Sequence, residues 1–303
     1  MRKFGIFALV LALGMMMTGA MAEERLYVVC TDFPCYDMVR SAAGERADVV
    51  MLLKPGTEAH SYDPSPADIL SIGKADLFVC IGGESDAWVD GILSGLDAGH
   101  MPTTIRMMDC VKDPIEEEEE DHAHGGEPEY DEHIWTSPVN ARQMALMAGE
   151  ALGSVDPDHA AEYAENAAAY ADQIDAIDRE IRDLVESAAR REMVFADRFP
   201  FAYFAREYGL DYLAAFNSCT ADTEPSAQTV MALIDRVAKH GIPAVYTIEL
   251  STQSIARTIA EETGAEVLTM QSMQTVTQED FEAGASYVSI MGENIEALRK
   301  GLN

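Results

Sequence analysis

Two histidines carry the first chemical signal in this chain. His60 sits in the Pro/Gly-bounded loop of LLKPGTEAHSYDPSPADI, between the apolar runs DVVMLL and DLFVCIG. His133 follows residues 111–132, VKDPIEEEEEDHAHGGEPEYDE, a tract in which eleven carboxylates accompany His122 and His124. A neutral imidazole is a strong ligand for a divalent transition metal, and zinc takes nitrogen, sulfur or oxygen donors in a tetrahedron. A lone loop histidine is ordinarily a surface residue. Two of them at sheet-edge positions, joined by a His-bearing acidic insertion, point to metal capture instead. The cysteines offer no rival zinc site: Cys30, Cys35, Cys80, Cys110 and Cys219 contain no CxxC pair, and Cys30 and Cys80 fall in apolar runs where a buried thiol is the default.

These side chains need a scaffold, and the hydrophobic pattern supplies one. From Leu26 to about Ser154, short β-rich runs (LYVVCT, DVVMLL, DLFVCIG, TTIRM) alternate with helical stretches starting near Pro34, Pro66 and Ala87 and after Pro138. A second series follows, with MVFA from Met193, YLAAF from Tyr212, AVYTIE from Ala244 and EVLTM from Glu266. Its helical stretches cover 200–208, 226–240, 252–263 and 279–299. Strand and helix in alternation predict parallel sheets covered on both faces, hence two α/β lobes, residues 23–154 and 191–303. His60 then falls beyond the C-terminal end of a strand, where open α/β sheets place their ligands.

Between the lobes, over 155–190, Asp156-Pro157 reads as an N-cap followed by a proline at the first helical position. Apolar residues recur at steps of three and four from Ala160 to Val185, with neither Gly nor further Pro to about Ala189. This predicts one helix of roughly 30 residues, about 45 to 50 Å long. Such a linker is stiff.

The N-terminus sets the compartment. Met1-Arg2-Lys3, an apolar core to about Met17 and the small residues before Glu23 have the order of a secretory signal peptide cleaved near Ala22. The apolar core is short for a membrane span. No lipid-attachment cysteine follows it, so a soluble, most readily periplasmic, protein is expected. Without Arg2 and Lys3 the chain has 19 basic residues against 53 acidic ones, a net charge of about −34. That charge opposes nucleic acid and anionic lipid and attracts cations. The five cysteines allow at most two internal disulfides, with pairing open. Residues 111–132 bury no core and are expected to form a mobile loop, in which His122 and His124 hold metal weakly.

The runs PGTEAHSYDPSPADI, ADLFVCIGGESDAWVD, DEHIWTSP, YFAREYGL and ETGAEVLTM, in this order, resemble the metal-binding solute receptors of ABC importers, the ZnuA-type zinc and manganese receptors. The similarity covers nearly all of the chain after the leader. The resemblance implies two Rossmann-like lobes joined by one long helix, with metal in the inter-lobe cleft and His60 and His133 as the first two ligands. It also implies a permease partner and a divalent metal ion as cargo; the chain is expected to act as a monomer. Two positions depart from the family pattern. Arg198 stands where most relatives carry a His or Glu ligand, and arginine does not ligate a cation. Asp197, one residue earlier at a strand end, is the substitute. The last family ligand corresponds to the neighbourhood of Gln271, a weak amide donor, whereas Glu249 ends AVYTIE and is placed to face the cleft. Arg198 is left either neutralising Asp197 or Glu249 or closing the cleft by a salt bridge. The expected set of His60, His133, Asp197 and Glu249 suits zinc and also accepts manganese, which prefers oxygen. The acidic His-bearing loop favours zinc by the same resemblance.

Enzyme readings are weaker. Gly83-Glu84-Ser85-Asp86-Ala87 approximates a GxSxG elbow, but its last glycine is Ala87 and neither His159 nor His240 stands in a loop after a late strand. No HExxH helix is present. An exported adhesin on the same fold is the remaining alternative.

Overall fold

A computed structural model describes residues 25–97, 99, 101–116, 129–216 and 225–303. The leader-like segment 1–22, His122, His124 and Cys219 lie outside the described residues.

Each half of the chain builds a four-stranded parallel sheet. The first holds β1 (Leu26–Cys30), β2 (Ala47–Met51), β3 (Leu77–Cys80) and β4 (Thr103–Arg106) in the order β2-β1-β3-β4. The second holds β5 (Glu192–Phe195), β6 (Asp211–Ala214), β7 (Ala244–Thr247) and β8 (Glu266–Thr269) in the equivalent order β6-β5-β7-β8. The strand order reverses between β1 and β3 and again between β5 and β7. Loops leaving these strands at their C-terminal ends therefore diverge and open a crevice. Strands predicted from sequence match those observed to within two residues.

The first sheet is covered by α1 (Phe33–Ala43), α2 (Pro66–Ile72), α3 (Trp88–Gly95) and α4 (Pro138–Val155). Local chemistry fixes the starts of α1 and α2. Asp32 accepts from the Cys35 amide at the head of α1, and Ser65 and Asp68 form a reciprocal capping box before Pro66. The long helix α5 spans Ala160–Ser187, entered through a single 3-10 turn at Pro157–His159. The second sheet carries α6 (Ala202–Tyr208), α7 (Ala227–His240), α8 (Ser254–Thr263), α9 (Gln278–Glu282) and α10 (Tyr287–Gly301). The stretch 279–299 thus divides into two helices, because the chain turns at Gly284 with φ +78 and Ser286 caps a new start.

The lobes are joined by more than the helix. One apolar cluster runs from Val28 and Phe33 through Met144, Tyr163 and Ile174 to Phe195, Tyr246 and Ile295, so the core continues across both sheets. Gly149 lets α4 lie close on α5: a Cβ there would meet Ala167 Cβ at 2.6 Å. Asp37 on α1, fully buried, accepts from Tyr170 Oη on α5 and, at 2.8 Å, from the Tyr287 amide at the start of α10. Removing a buried acceptor of this kind strands its donors. Such a junction has little freedom to hinge.

Among the described residues Cys30, Cys35, Cys80 and Cys110 are free thiols, the first three buried. No described helix is long and apolar enough to cross a membrane.

Candidate metal centre

His60 lies on the loop between β2 and α2, and His133 immediately precedes a 3-10 turn, Ile134–Thr136, that leads into α4. The fold brings their ring centroids to 5.5 Å. Glu132 joins them: among the described residues, ligand atoms of His60, Glu132 and His133 all lie within 4.8 Å of one another. His133 and Glu132 are almost wholly buried, and His60 keeps 14% of its side chain exposed.

Hydrogen bonds orient both imidazoles. His133 Nδ1 donates to Asp131 Oδ1 at 2.8 Å, and the His133 amide donates to the same oxygen at 2.8 Å. Ser85 Oγ donates to Glu132 Oε1, which leaves it to accept from His60 Nδ1 at 3.1 Å. With the proton on Nδ1 in each ring, Nε2 carries the lone pair that a metal uses. Burial, reinforced by the neighbouring His133, holds the His60 imidazole below its usual pKa of 6.5, so it stays neutral.

The segment carrying Glu132 and His133 is braced from the opposite lobe. Tyr203 Oη on α6 donates to Asp131 O at 2.8 Å, Trp135 Nε1 donates to Ser272 O at 2.7 Å, and Tyr287 Oη donates to Trp135 O at 3.0 Å. Gln274 Nε2 donates to Glu132 Oε1 at 3.3 Å. The C-terminal end of the acidic tract is therefore not a solvated loop. Asp131 and Glu132 are buried, with the Asp131 amide donating to Ile115 O.

A small cavity of about 30 Å³ touches His60, His133, Glu249, Arg198 and Gln274. A larger one, about 300 Å³, reaches His60 and Glu132 past Gly83 and Tyr130. Glu249 faces the first, as its place at a strand end suggests, and both its oxygens accept from Ser272, through the amide at 2.6 Å and the hydroxyl. Burial raises its pKa above the usual carboxylate range, against the pull of those bonds. Asp197 and Gln271 take other partners. Asp197, like Glu249, stands outside the clustered trio; its Oδ1 accepts from the Arg198 amide at 2.9 Å, and its Oδ2 is buried with no hydrogen-bond partner among the described residues. Gln271 donates to Glu293, and its backbone pairs with Asn294. Met273 has φ +65, and the next residue, Gln274, lines the small cavity. Arg198 pairs with Glu58 at 3.1 Å, and with neither Asp197 nor Glu249 by a salt bridge.

This arrangement can ligate a cation but does not form a hydrolytic relay. Ser85 Oγ and Glu132 Oε1 both approach the same ring nitrogen, His60 Nδ1, at 3.1 and 3.6 Å. A catalytic triad needs the serine and the acid on opposite nitrogens of the imidazole.

Two parallel α/β lobes bridged by one long helix, with imidazoles and carboxylates converging at their junction, define a metal receptor of the solute-binding class. The chain belongs to the ZnuA family, zinc-uptake complex component A periplasmic, whose sequence profile matches residues 28–301. It is 33% identical over 283 residues to the zinc-binding lipoprotein AdcA of Streptococcus pneumoniae, covering 92% of this chain and 56% of AdcA. The chain thus spans about half the length of that relative. It is 30% identical to the high-affinity zinc uptake system protein ZnuA of Bacillus subtilis, covering 98% of this chain and 94% of the relative. The Zn(II)-bound ZnuA-like domain of S. pneumoniae AdcA superposes with a TM-score of 0.76 at 31% identity, over 92% of this chain and 99% of that one.

Proposed function

We propose that this chain is an exported, periplasmic receptor that captures Zn²⁺ with high affinity at the lobe junction and passes it to the permease of an ABC importer. It acts as a monomer and makes or breaks no covalent bond. The lobes comprise 23–154 and 191–303, with 155–190 as the link, once the leader is removed near Ala22. The observation that carries this reading is the buried convergence of His60, Glu132 and His133 within 4.8 Å. His60 and His133 supply nitrogen and Glu132 supplies oxygen. Glu249, which lines the small cavity beside both histidines, is the carboxylate we assign as fourth ligand in preference to Asp197. Two imidazoles with carboxylate favour zinc, whereas manganese favours an all-oxygen shell. The relatives named for zinc support the same choice.

X-ray absorption at the zinc edge of the loaded, leader-free protein tests the ligand set. Two imidazole nitrogens at about 2.0 Å with carboxylate oxygen at similar range are expected. A sulfur shell near 2.3 Å would place the metal on the cysteines and refute it.

A further inference from the structure

The loop that carries His60 belongs to the first lobe but is fastened to the second at two points. The Gly56 amide donates to Val276 O at 2.7 Å. Two residues on, Glu58 takes a bond on each carboxylate oxygen: Oε2 accepts from Arg198 Nη1 at 3.1 Å, and Oε1 accepts from the His60 amide at 3.3 Å. The Glu58 carboxylate is thus a bridge between the guanidinium of Arg198, which follows β5, and the backbone of His60. Glu58 and Arg198 both line the small cavity shared by His60, His133 and Glu249. Their side chains are 45% and 27% exposed, so the pair is weak, open to salt and easily broken.

We propose that Arg198 is a positioning residue that controls metal release: through Glu58 it pins the His60 loop across the cleft, and opening of this ion pair precedes departure of the metal. This rests on the receptor reading above. The opposing effect of the same residue is electrostatic, because a guanidinium at the cavity repels a dication. The two effects have opposite signs in a mutant. If pinning dominates, loss of Arg198 accelerates release; if repulsion dominates, it tightens binding.

The test is Zn²⁺ release from the leader-free protein into excess chelator by stopped flow, in wild type, Arg198→Ala, Glu58→Gln, the double variant and the charge swap Glu58→Arg/Arg198→Glu. Circular dichroism confirms that each is folded. Each single variant is expected to release zinc roughly two- to fivefold faster, the scale of an exposed ion pair. The double variant should be no faster than either single one, and the charge swap should recover most of the wild-type rate. Added salt should speed release from wild type and leave Arg198→Ala unchanged. Slower release from Arg198→Ala, additive single effects, or rates equal to wild type would each overturn the assignment. Failure of the wild type itself to retain zinc would instead overturn the receptor reading.

Discussion

Glu132 occupies space that Gly83 leaves open. A Cβ built on Gly83 would lie 2.4 Å from Glu132 Cβ and 2.4 Å from Glu132 Oε2. Gly83 has φ −95, so its backbone alone would accept alanine. The glycine is required by the carboxylate beside it.

Gly83→Ala should therefore push Glu132 away from the two imidazoles while leaving the sheets intact. A loss of roughly ten- to a hundredfold in zinc affinity is expected, the range seen when ligand geometry is disturbed. Competition with a fluorescent chelator measures it. Wild-type affinity in a folded Gly83→Ala protein would remove Glu132 from the ligand set.

Asp131 fixes the His133 tautomer through its 2.8 Å bond from Nδ1. Asp131→Asn keeps an acceptor for the backbone amide but removes the charge that makes the imidazole a better donor to metal. Affinity should fall about tenfold with little change in thermal midpoint, as read by calorimetric titration and scanning calorimetry together. An equal affinity would show that the carboxylate only supports the fold.

Because burial lowers the pKa of His60 below 6.5, protons compete with metal for that ring only on the acid side of this value. The part of the zinc affinity that depends on His60, read as the difference between wild type and His60→Ala, should be level from about pH 8 to 6.5 and decline at lower pH. Titrations across this range check it. A steady fall beginning near pH 8 would mean that His60 holds its proton more tightly than its surroundings dictate.

Asp32 gives a separate signature in the metal-free protein. Burial, with Asp86 adding to it, pushes the Asp32 carboxyl from 3.8 up to about 8, and burial carries Asp86 to about 6. Between pH 4 and 8 the folded state keeps a proton on Asp32 that the unfolded state has lost, so stability contributed here falls as pH rises. Asp32→Asn retains the helix cap and removes the titration. The variant should gain thermal stability relative to wild type as pH rises from 5 to 8.5, by a few degrees in scanning calorimetry. A difference that is constant with pH would contradict the raised pKa.

His60 and His133 are legible in the sequence because each is an isolated imidazole in polar loop sequence beside an apolar run. The sheets are legible for a related reason: β-rich apolar runs bounded by Gly and Pro leave little choice of element. Glu132 is hidden among ten other acidic residues of its tract. What separates it is the space at Gly83 and the bonds from Ser85 and Gln274, all distant in sequence. Asp197 and Glu249 look alike as carboxylates after strands, yet one folds back on the next amide while the other faces the cleft. Side-chain direction after a strand depends on the following turn, and sequence pattern carries little of that.

The most direct test of the receptor reading is calorimetric titration of metal-stripped, leader-free protein with Zn²⁺ and Mn²⁺, in wild type and in His60→Ala/His133→Ala. Nanomolar zinc binding, about −12 kcal/mol, stronger than that of manganese and abolished in the double variant, is predicted. Zinc binding of unchanged strength in the variant would place the metal elsewhere and contradict a centre built on these two histidines.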